Sequence, residues 1–583
     1  MATFLINMTA VQLLALCVTA AVVGARAPNI IWLQGDSMDG RLFDPTDPDL
    51  GSKLLLEGFD DWAAQGVTFA RHFTNSPQCV PSRTSMMTGL HVHASLTHNN
   101  GQGLAFSTKT GALDSNCIKV WSHAWCRALA ARQAAAGVNA TILDQAAAQG
   151  YDLALFGRVD AGAGILDDYV GTTGDGWHDG PELGILARGA AIWGAVDREP
   201  WARTDETDPS PYPDDVRKQE EVLDWLARRG AAGGAAGGAA PFFLWLGMMC
   251  PHPPYDTNST WLSHVNASGA FDVPAQLPRG STHPYDAYMS NAKAMWGEEF
   301  YSAAQVRDMR HAYWGAVAEA AILMREVILH ASKAGLLNNT VVIITSDHGE
   351  MGIEHRMDLK SSLREPSVRV PLIMIPFGVP GLDAGGRVVT NLTSHLDIFP
   401  TLAELGGSPP PALPPRLKGR SLVPFLRAAP PVAPRADAVA AQYHSNYAPC
   451  GSYSLRTSQW KLIAFGRVNG TQLPSQLFDV AGDPREMVDV APARPDVVQA
   501  LTAALEGELG APLAAIEGAM LADNSANYRA AWFNTCTGEE LVRALVGSFV
   551  GATAVDVEAR VAAWAGVSPL NATGGGGACG VVP

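Results

Sequence analysis

Residues 29–37 read NIIWLQGDS, an apolar run that stops at Gly35, Asp36 and Ser37. A strand of a parallel sheet covered by helices on both faces has this composition, because neither surface meets water and polar alternation is lost. Ligands collect at the carboxyl edge of such sheets, so Asp36 stands where chemistry is expected. The same event recurs: YDLALFG (151–157) ends at Arg158, FFLWLGM (242–248) runs on to Pro251-His252-Pro253, and VVIITS (341–346) ends at Asp347-His348. Helical patterns at 53–64, 215–228 and 304–334 lie between these runs. The alternation predicts an α/β sandwich around a large, mostly parallel sheet.

A chain of 583 residues exceeds one ordinary core, so a large domain with a smaller companion is expected. The α/β domain is assigned to 28–434, closed by the Pro-rich stretch 408–434. Residues 229–240 (RGAAGGAAGGAA) read as a flexible surface insertion, since Gly and Ala supply neither periodicity nor bulky core side chains. Strand-like segments at 453–465 and 476–480 and a helix over 496–508 predict a small antiparallel α+β domain within 435–560, followed by a Gly-rich tail, 561–583.

The formal net charge of −16 argues against nucleic acid as a partner, because no basic stretch is long enough to neutralise a row of phosphates. An anionic substrate would need a local basic pocket. Residues 11–23 are apolar and precede Ala25-Arg26-Ala27, which reads as a signal peptide over 1–27 with cleavage after Ala25 or Ala27. The run is shorter than the ~20 apolar residues of a spanning helix, so no stable membrane span is expected. Beyond this segment seven sequons, at Asn139, Asn258, Asn266, Asn338, Asn391, Asn469 and Asn571, suit a glycoprotein of the secretory pathway, extracellular or in a lysosome- or vacuole-like compartment. Eight cysteines become seven once Cys17 leaves, and the odd count marks one thiol as special. The six besides Cys79 (Cys117, Cys126, Cys250, Cys450, Cys536, Cys579) could form up to three disulfides, Cys117 with Cys126 being the most local pair.

Cys79 lies in NSPQCVPSR (75–83). Pro81 suits a first helical turn, which puts Cys79 at or just before a helix N-terminus, where backbone N–H groups favour a tetrahedral anion. An ordinary disulfide cysteine and a catalytic thiolate are the competing readings.

The pattern C-x-P-S-R at 79–83 resembles the signature of the type I sulfatases. PNIIWLQGDSMDGR (28–41), SDHGEMGIEHR (346–356), SHLDIFPTLAELGG (394–407) and LFDVAGDPREMVDV (477–490) are similar to that family's other landmarks, so the resemblance spans roughly 28–490. It implies an alkaline-phosphatase-like fold and oxidation of Cys79 to formylglycine (3-oxoalanine) by a formylglycine-generating enzyme. A hydrated aldehyde carries two hydroxyls on one carbon: one attacks sulfur, and the other expels sulfate as the carbonyl re-forms.

The resemblance also implies one Ca²⁺ held by Asp36, Asp347, His348 and the side chain at 79. Many relatives carry Asp where Ser37 stands; Asp39 could compensate or serve as a turn residue. An imidazole ligand would also admit Zn²⁺ or Mn²⁺. Arg83 is expected on the nucleophile and metal side, with His252 and Lys360 on the sulfate, one of them protonating the leaving oxygen. Arg158 stands where relatives have Lys and cannot act as an acid near neutral pH, and Asp160 stands where many have His. His355 would support Lys360 or touch substrate. His91, His93 and His98 either line the mouth or are structural. The implied activity is hydrolysis of a sulfate monoester, with a sulfated sugar or uronate as substrate. Phosphomonoester or phosphonate hydrolysis on the same scaffold, and a non-catalytic glycan-binding role, are the alternatives.

Overall fold

The computed structural model describes residues 26–521 apart from 57, 101–102, 115–122, 160–172, 176–201, 205–210, 233–238, 268–271, 278–280, 293–301, 384, 408–416, 428–437, 445–447, 449 and 469–470. Residues 1–25, expected to be most of a signal peptide, lie outside the described residues, as do Cys117, Asp160, Asn469, Cys536, Asn571, Cys579 and the Gly-rich tail.

The apolar runs become neighbouring strands. The main sheet contains β1 (Asn29–Gly35), β2 (Val67–Phe69), β3 (Asp152–Arg158), β4 (Thr173–Asp175), β5 (Phe242–Gly247), β6 (Thr340–Ser346), β7 (Leu372–Phe377) and β8 (Arg387–Val389). Its order is β8-β2-β7-β6-β1-β5-β3-β4, and only β7 runs antiparallel to its neighbours. Residues one apart on a strand face opposite sides. Ile31, Leu33, Leu244, Leu246, Val342 and Ile344 therefore pack on one face, and Ile30, Trp32, Phe243, Trp245, Val341 and Ile343 on the other.

Helices cover both faces, which is why the strands carry no polar alternation. The second face packs against Met86 and Met87 of α1 (Cys79–Thr88), Ile142 and Leu143 of α2 (Ile142–Ala148), and Ile398 and Phe399 of α5 (Ile398–Leu405). The first packs against α3 (Pro213–Ala231) and α4 (Ala303–Lys333). In α4, Ala316, Ala318, Ala320 and Ala321 let the helix approach closely, and a Ser302–Gln305 capping box starts it.

The smaller sheet is antiparallel, ordered β9 (Ala438–Tyr443), β10 (Ser452–Thr457), β11 (Trp460–Phe465), β12 (Gln476–Asp479). Tyr443, Ile463 and Phe465 pack on Phe73, Met351 and Met357 of the main body. Tyr453, Leu455, Leu462 and Leu477 pack on Leu505 and Leu509 of α6 (Pro495–Leu509). Each strand thus divides its alternate residues between the large body and the last helix.

Several sequence expectations need correction. The 53–64 pattern yields a helix only over Phe59–Ala63: Gly58 sits at φ 77°, and Leu54 pairs with Val265 in an antiparallel bridge. The Gly/Ala-rich insertion begins later than 229, since residues 229–231 complete α3. Segment 453–465 is a hairpin, because the Thr457 hydroxyl accepts the Trp460 N–H at 2.8 Å and turns the chain. Cys126 is in a disulfide, but Cys250 is a buried thiol donating to the Ala316 carbonyl, so the six cysteines make at most two disulfides and Cys79 is not the lone unbridged thiol.

Candidate active site

β1 and β6 are adjacent and in parallel register, with Gly35 opposite Ser346. The next residues, Asp36 and Asp347, therefore emerge side by side at the carboxyl edge, both fully buried. The Ser37 N–H and the His348 N–H both donate to Asp347 Oδ1, at 3.2 and 2.8 Å, and the Ser37 hydroxyl donates to Asp36 Oδ1 at 2.9 Å. The ring of His348 donates from Nδ1 to the Gly349 carbonyl at 3.0 Å, which turns the Nε2 lone pair inward. Nε2 lies 3.3 Å from Cys79 Sγ.

Asp36, Cys79, Asp347 and His348 thus present ligand atoms that all lie within 4.8 Å of one another. Two carboxylates and one imidazole suit a divalent cation, and oxygens of the residue at 79, substrate and water can complete the shell of a hard ion. Asp39 is not part of this group. Its carboxylate caps the Arg41 N–H and takes the Arg41 guanidinium, which also grips Glu354.

Cys79 is the first residue of α1, with Pro81 in the first turn. Burial, and then the Asp36 carboxylate, push the thiol above its ordinary value, which disfavours a thiolate. Arg83, one turn on, is wholly buried; it donates Nε to Asp347 Oδ2 at 2.9 Å, Nη2 to Asp36 Oδ2 at 3.0 Å and Nη1 to the Arg158 carbonyl at 2.6 Å. The Arg158 guanidinium itself lies 3.5 Å from Asp36 Oδ2. Burial opposes the charge of Asp36, but Arg158, His252, Lys360 and His348 together hold its pKa well below the usual carboxylate range.

His252 arrives on the loop after β5, beyond a cis Cys250–Pro251 bond. Its Nδ1 lies 2.8 Å from the Pro253 carbonyl and its Nε2 lies 2.7 Å from Lys360 Nζ. A carbonyl can only accept, so Nδ1 carries the proton and Nε2 accepts from the ammonium. Burial and the Lys360 charge push the imidazole well below its ordinary pKa. Burial would lower Lys360 too, but Cys79 and Asp36 outweigh it and raise it.

Two residues absent from the sequence reading hold this loop. Asp215, in the first turn of α3, accepts the Met249 and Cys250 N–H groups at 2.8 and 2.7 Å. The Tyr212 hydroxyl lies 3.2 and 3.1 Å from the His252 and Pro254 carbonyls. In sequence Asp215 reads as helix-dipole chemistry, and nothing there signals a reach across to β5.

The other expected residues go elsewhere. His355 sits in a second cavity with Arg364 and Asp286, facing the smaller sheet. His91 stacks on His93, and His93 meets Gln442 of β9, so both pack beneath that sheet, with burial lowering His93 to a pKa of about 4. His98 is buried as well.

Residues 28–408 match the Sulfatase family model, about two-thirds of the chain. The chain belongs to the sulfatase family. It is accordingly a sulfuric ester hydrolase of sulfate monoesters. The model for the N-sulphoglucosamine sulphohydrolase C-terminal region matches residues 353–511, which include all four strands of the smaller sheet. Arylsulfatase K of Mus musculus is 30% identical over 507 residues, 84% of this chain and 80% of that protein. Arylsulfatase K of Homo sapiens is 28% identical over 540 residues, 87% and 88% of the two. Among solved structures, the phosphonate monoester hydrolase of Agrobacterium radiobacter superposes with a TM-score of 0.60 at 22% identity, covering 82% of this sulfatase and 95% of that chain. A 2-O GAG sulfatase gives 0.56 at 19%, covering 86% and 94%. At these identities the structures establish the shared alkaline-phosphatase-like fold.

Proposed function

We propose that this sulfatase releases sulfate from a sulfated sugar or uronate, with formylglycine made from Cys79 as nucleophile and one Ca²⁺ bound by Asp36, Asp347, His348 and residue 79. The observation that carries the reading is the placement of Cys79, at the head of α1, inside the group of buried ligand atoms. The aldehyde hydrate supplies a nucleophilic hydroxyl and a second hydroxyl for sulfate release. The cation supplies positive charge against sulfate oxygens and favours ionisation of that nucleophile. Arg83 fixes the spacing of the two carboxylates and offsets part of their charge. Arg158 contributes charge beside Asp36, with no proton to give near neutral pH. Lys360 holds the proton for the leaving oxygen, and neutral His252 accepts from Lys360 and orients it.

The sugar or uronate class follows the likeness to arylsulfatase K and to the 2-O GAG sulfatase. Residues 1–27 are proposed as a cleaved signal peptide, 28–434 as the catalytic domain and 435–560 as the smaller one. Asn139 and Asn338 are exposed sequons suited to glycosylation. Maturation would require a formylglycine-generating enzyme in the secretory pathway, with an extracellular or lysosome- or vacuole-like destination. Among the described residues no helix is long and apolar enough to cross a membrane. Sulfate release from sulfated uronates and sulfated hexosamines, against phosphate and phosphonate esters of the same alcohols, tests the reading. Preferential turnover of the phosphorus esters would overturn it.

A further inference from the structure

A separate cavity of about 170 Å³ lies over the same edge of the main sheet, lined by Arg71, Arg369, Arg456 and Arg485 together with Asp44, Asp47, Asp49 and Glu365. Arg71 follows the end of β2, and Arg369 precedes β7, whose antiparallel register sets its start beside that end. Arg456 reaches in from β10 of the smaller sheet.

Each acid in the cavity already has its cation. Arg369 takes Asp44 and lies 3.6 Å from Asp47, Arg485 takes Asp49 at 2.9 Å, and Glu365 takes Arg456 and Lys461 at 3.2 and 3.1 Å. The Arg71 guanidinium has no hydrogen-bond or ion-pair partner among the described residues. Four guanidinium groups gathered in one cavity, one of them making no direct ion pair, form a fork suited to planar or tetrahedral oxyanions. Partial burial, then the neighbouring charges of Arg456 and Arg369, lower the Arg71 pKa from its ordinary value, and the Glu365 and Asp44 carboxylates offset this only in part.

We propose that this cavity is an oxyanion-binding site, with Arg71 as its principal contact, taking either free sulfate or an anionic group of a sulfated glycan. The site does not depend on the assignment of the nucleophile, and its test does not read turnover alone.

The test follows Arg71 on the full chain by peptide mass spectrometry during modification with an arginine-directed dicarbonyl. Sodium sulfate, a sulfated oligosaccharide, its desulfated counterpart and sodium chloride are compared at matched ionic strength. Saturating oxyanion is expected to slow modification of Arg71 about tenfold, while chloride and the desulfated chain do not. Protection by sulfate alone identifies the free ion as occupant; protection by the oligosaccharide at much lower concentration identifies the glycan. No protection by either overturns the proposal. In calorimetry with sodium sulfate, Arg71→Gln is expected to weaken one binding event about tenfold while leaving hydrolysis of a small aryl sulfate unchanged. Sulfate isotherms identical to those of the native chain would equally overturn it.

Discussion

Lys360 Nζ stands 2.7 Å from His252 Nε2, while the opposite ring nitrogen faces the Pro253 carbonyl. Two cations at that distance would repel, so the proton resides on Lys360 and the imidazole is neutral. Lys360→Ala is expected to lower kcat about 10²–10⁴-fold on an alkyl sulfate, and much less on an aryl sulfate with a good leaving group. Lys360→Arg keeps the charge without the acid, so KM should change little while kcat falls. Because the Lys360 pKa is raised above 10.5, the proton stays bound through neutral pH and the group produces no alkaline limb there. Equal losses across leaving groups would contradict its role as acid.

Asp215 acts on the same loop from behind. Burial raises its carboxyl pKa to about 6. The native fold therefore favours the protonated form: its contribution to stability is fully present below the ordinary 3.8 and is lost as pH rises through about 6, amounting to about 3 kcal/mol. Activity runs the other way, since protonation removes an acceptor from the Met249 and Cys250 N–H groups. kcat should fall as pH drops through about 6, and Asp215→Asn should lower kcat and flatten that limb while KM and the thermal transition stay near native values. An unaltered pH profile in Asp215→Asn would show that the clamp does not position His252.

At Arg158 the guanidinium lies 3.5 Å from Asp36, and its proposed role is to supply charge. Arg158→Lys should keep activity within about tenfold, whereas Arg158→Ala should cost about 10²-fold in kcat/KM. Steady-state kinetics on one aryl sulfate separate the two, and equal losses would contradict a purely electrostatic role.

The two sheets are joined through Glu365. Its buried carboxylate accepts from Lys461 at 3.1 Å and Arg456 at 3.2 Å, and although burial raises its pKa, those charges and Arg369 lower it well below 4.5. The stabilisation is therefore complete above 4.5 and lost only as pH falls through the depressed value. Glu365→Gln should destabilise by about 3 kcal/mol, because it removes the carboxylate from buried Arg456, whereas Lys461 keeps Glu486 at 2.9 Å. Urea denaturation at pH 7 measures this, and a change below about 0.5 kcal/mol would mean the network is dispensable.

The four strands that build the site were legible because burial on both faces leaves an uninterrupted apolar signature, and each run ended at a residue the fold then used. Strand β9 was not legible, since ADAVAAQYH carries too little bulk to distinguish it from a linker. Asp36, Cys79, Arg83, Asp347 and His348 could be named from motif positions, and the structure gathers them. His355 could be named too, but the turn at positive φ over Ile353, His355 and Arg356 directs it toward the smaller sheet. Asp215 and Tyr212 were hidden because their partners are backbone groups on the loop after β5, distant in sequence, and backbone acceptors and donors leave no residue pattern.

Peptide mass spectrometry across Asn75–Arg83, on protein made in a host with the formylglycine-generating enzyme, reads the side chain at 79 on which the proposed mechanism depends. An aldehyde at position 79 is expected, with Cys79→Ala inactive. An unmodified thiol or a disulfide at Cys79 in protein that still releases sulfate would contradict it.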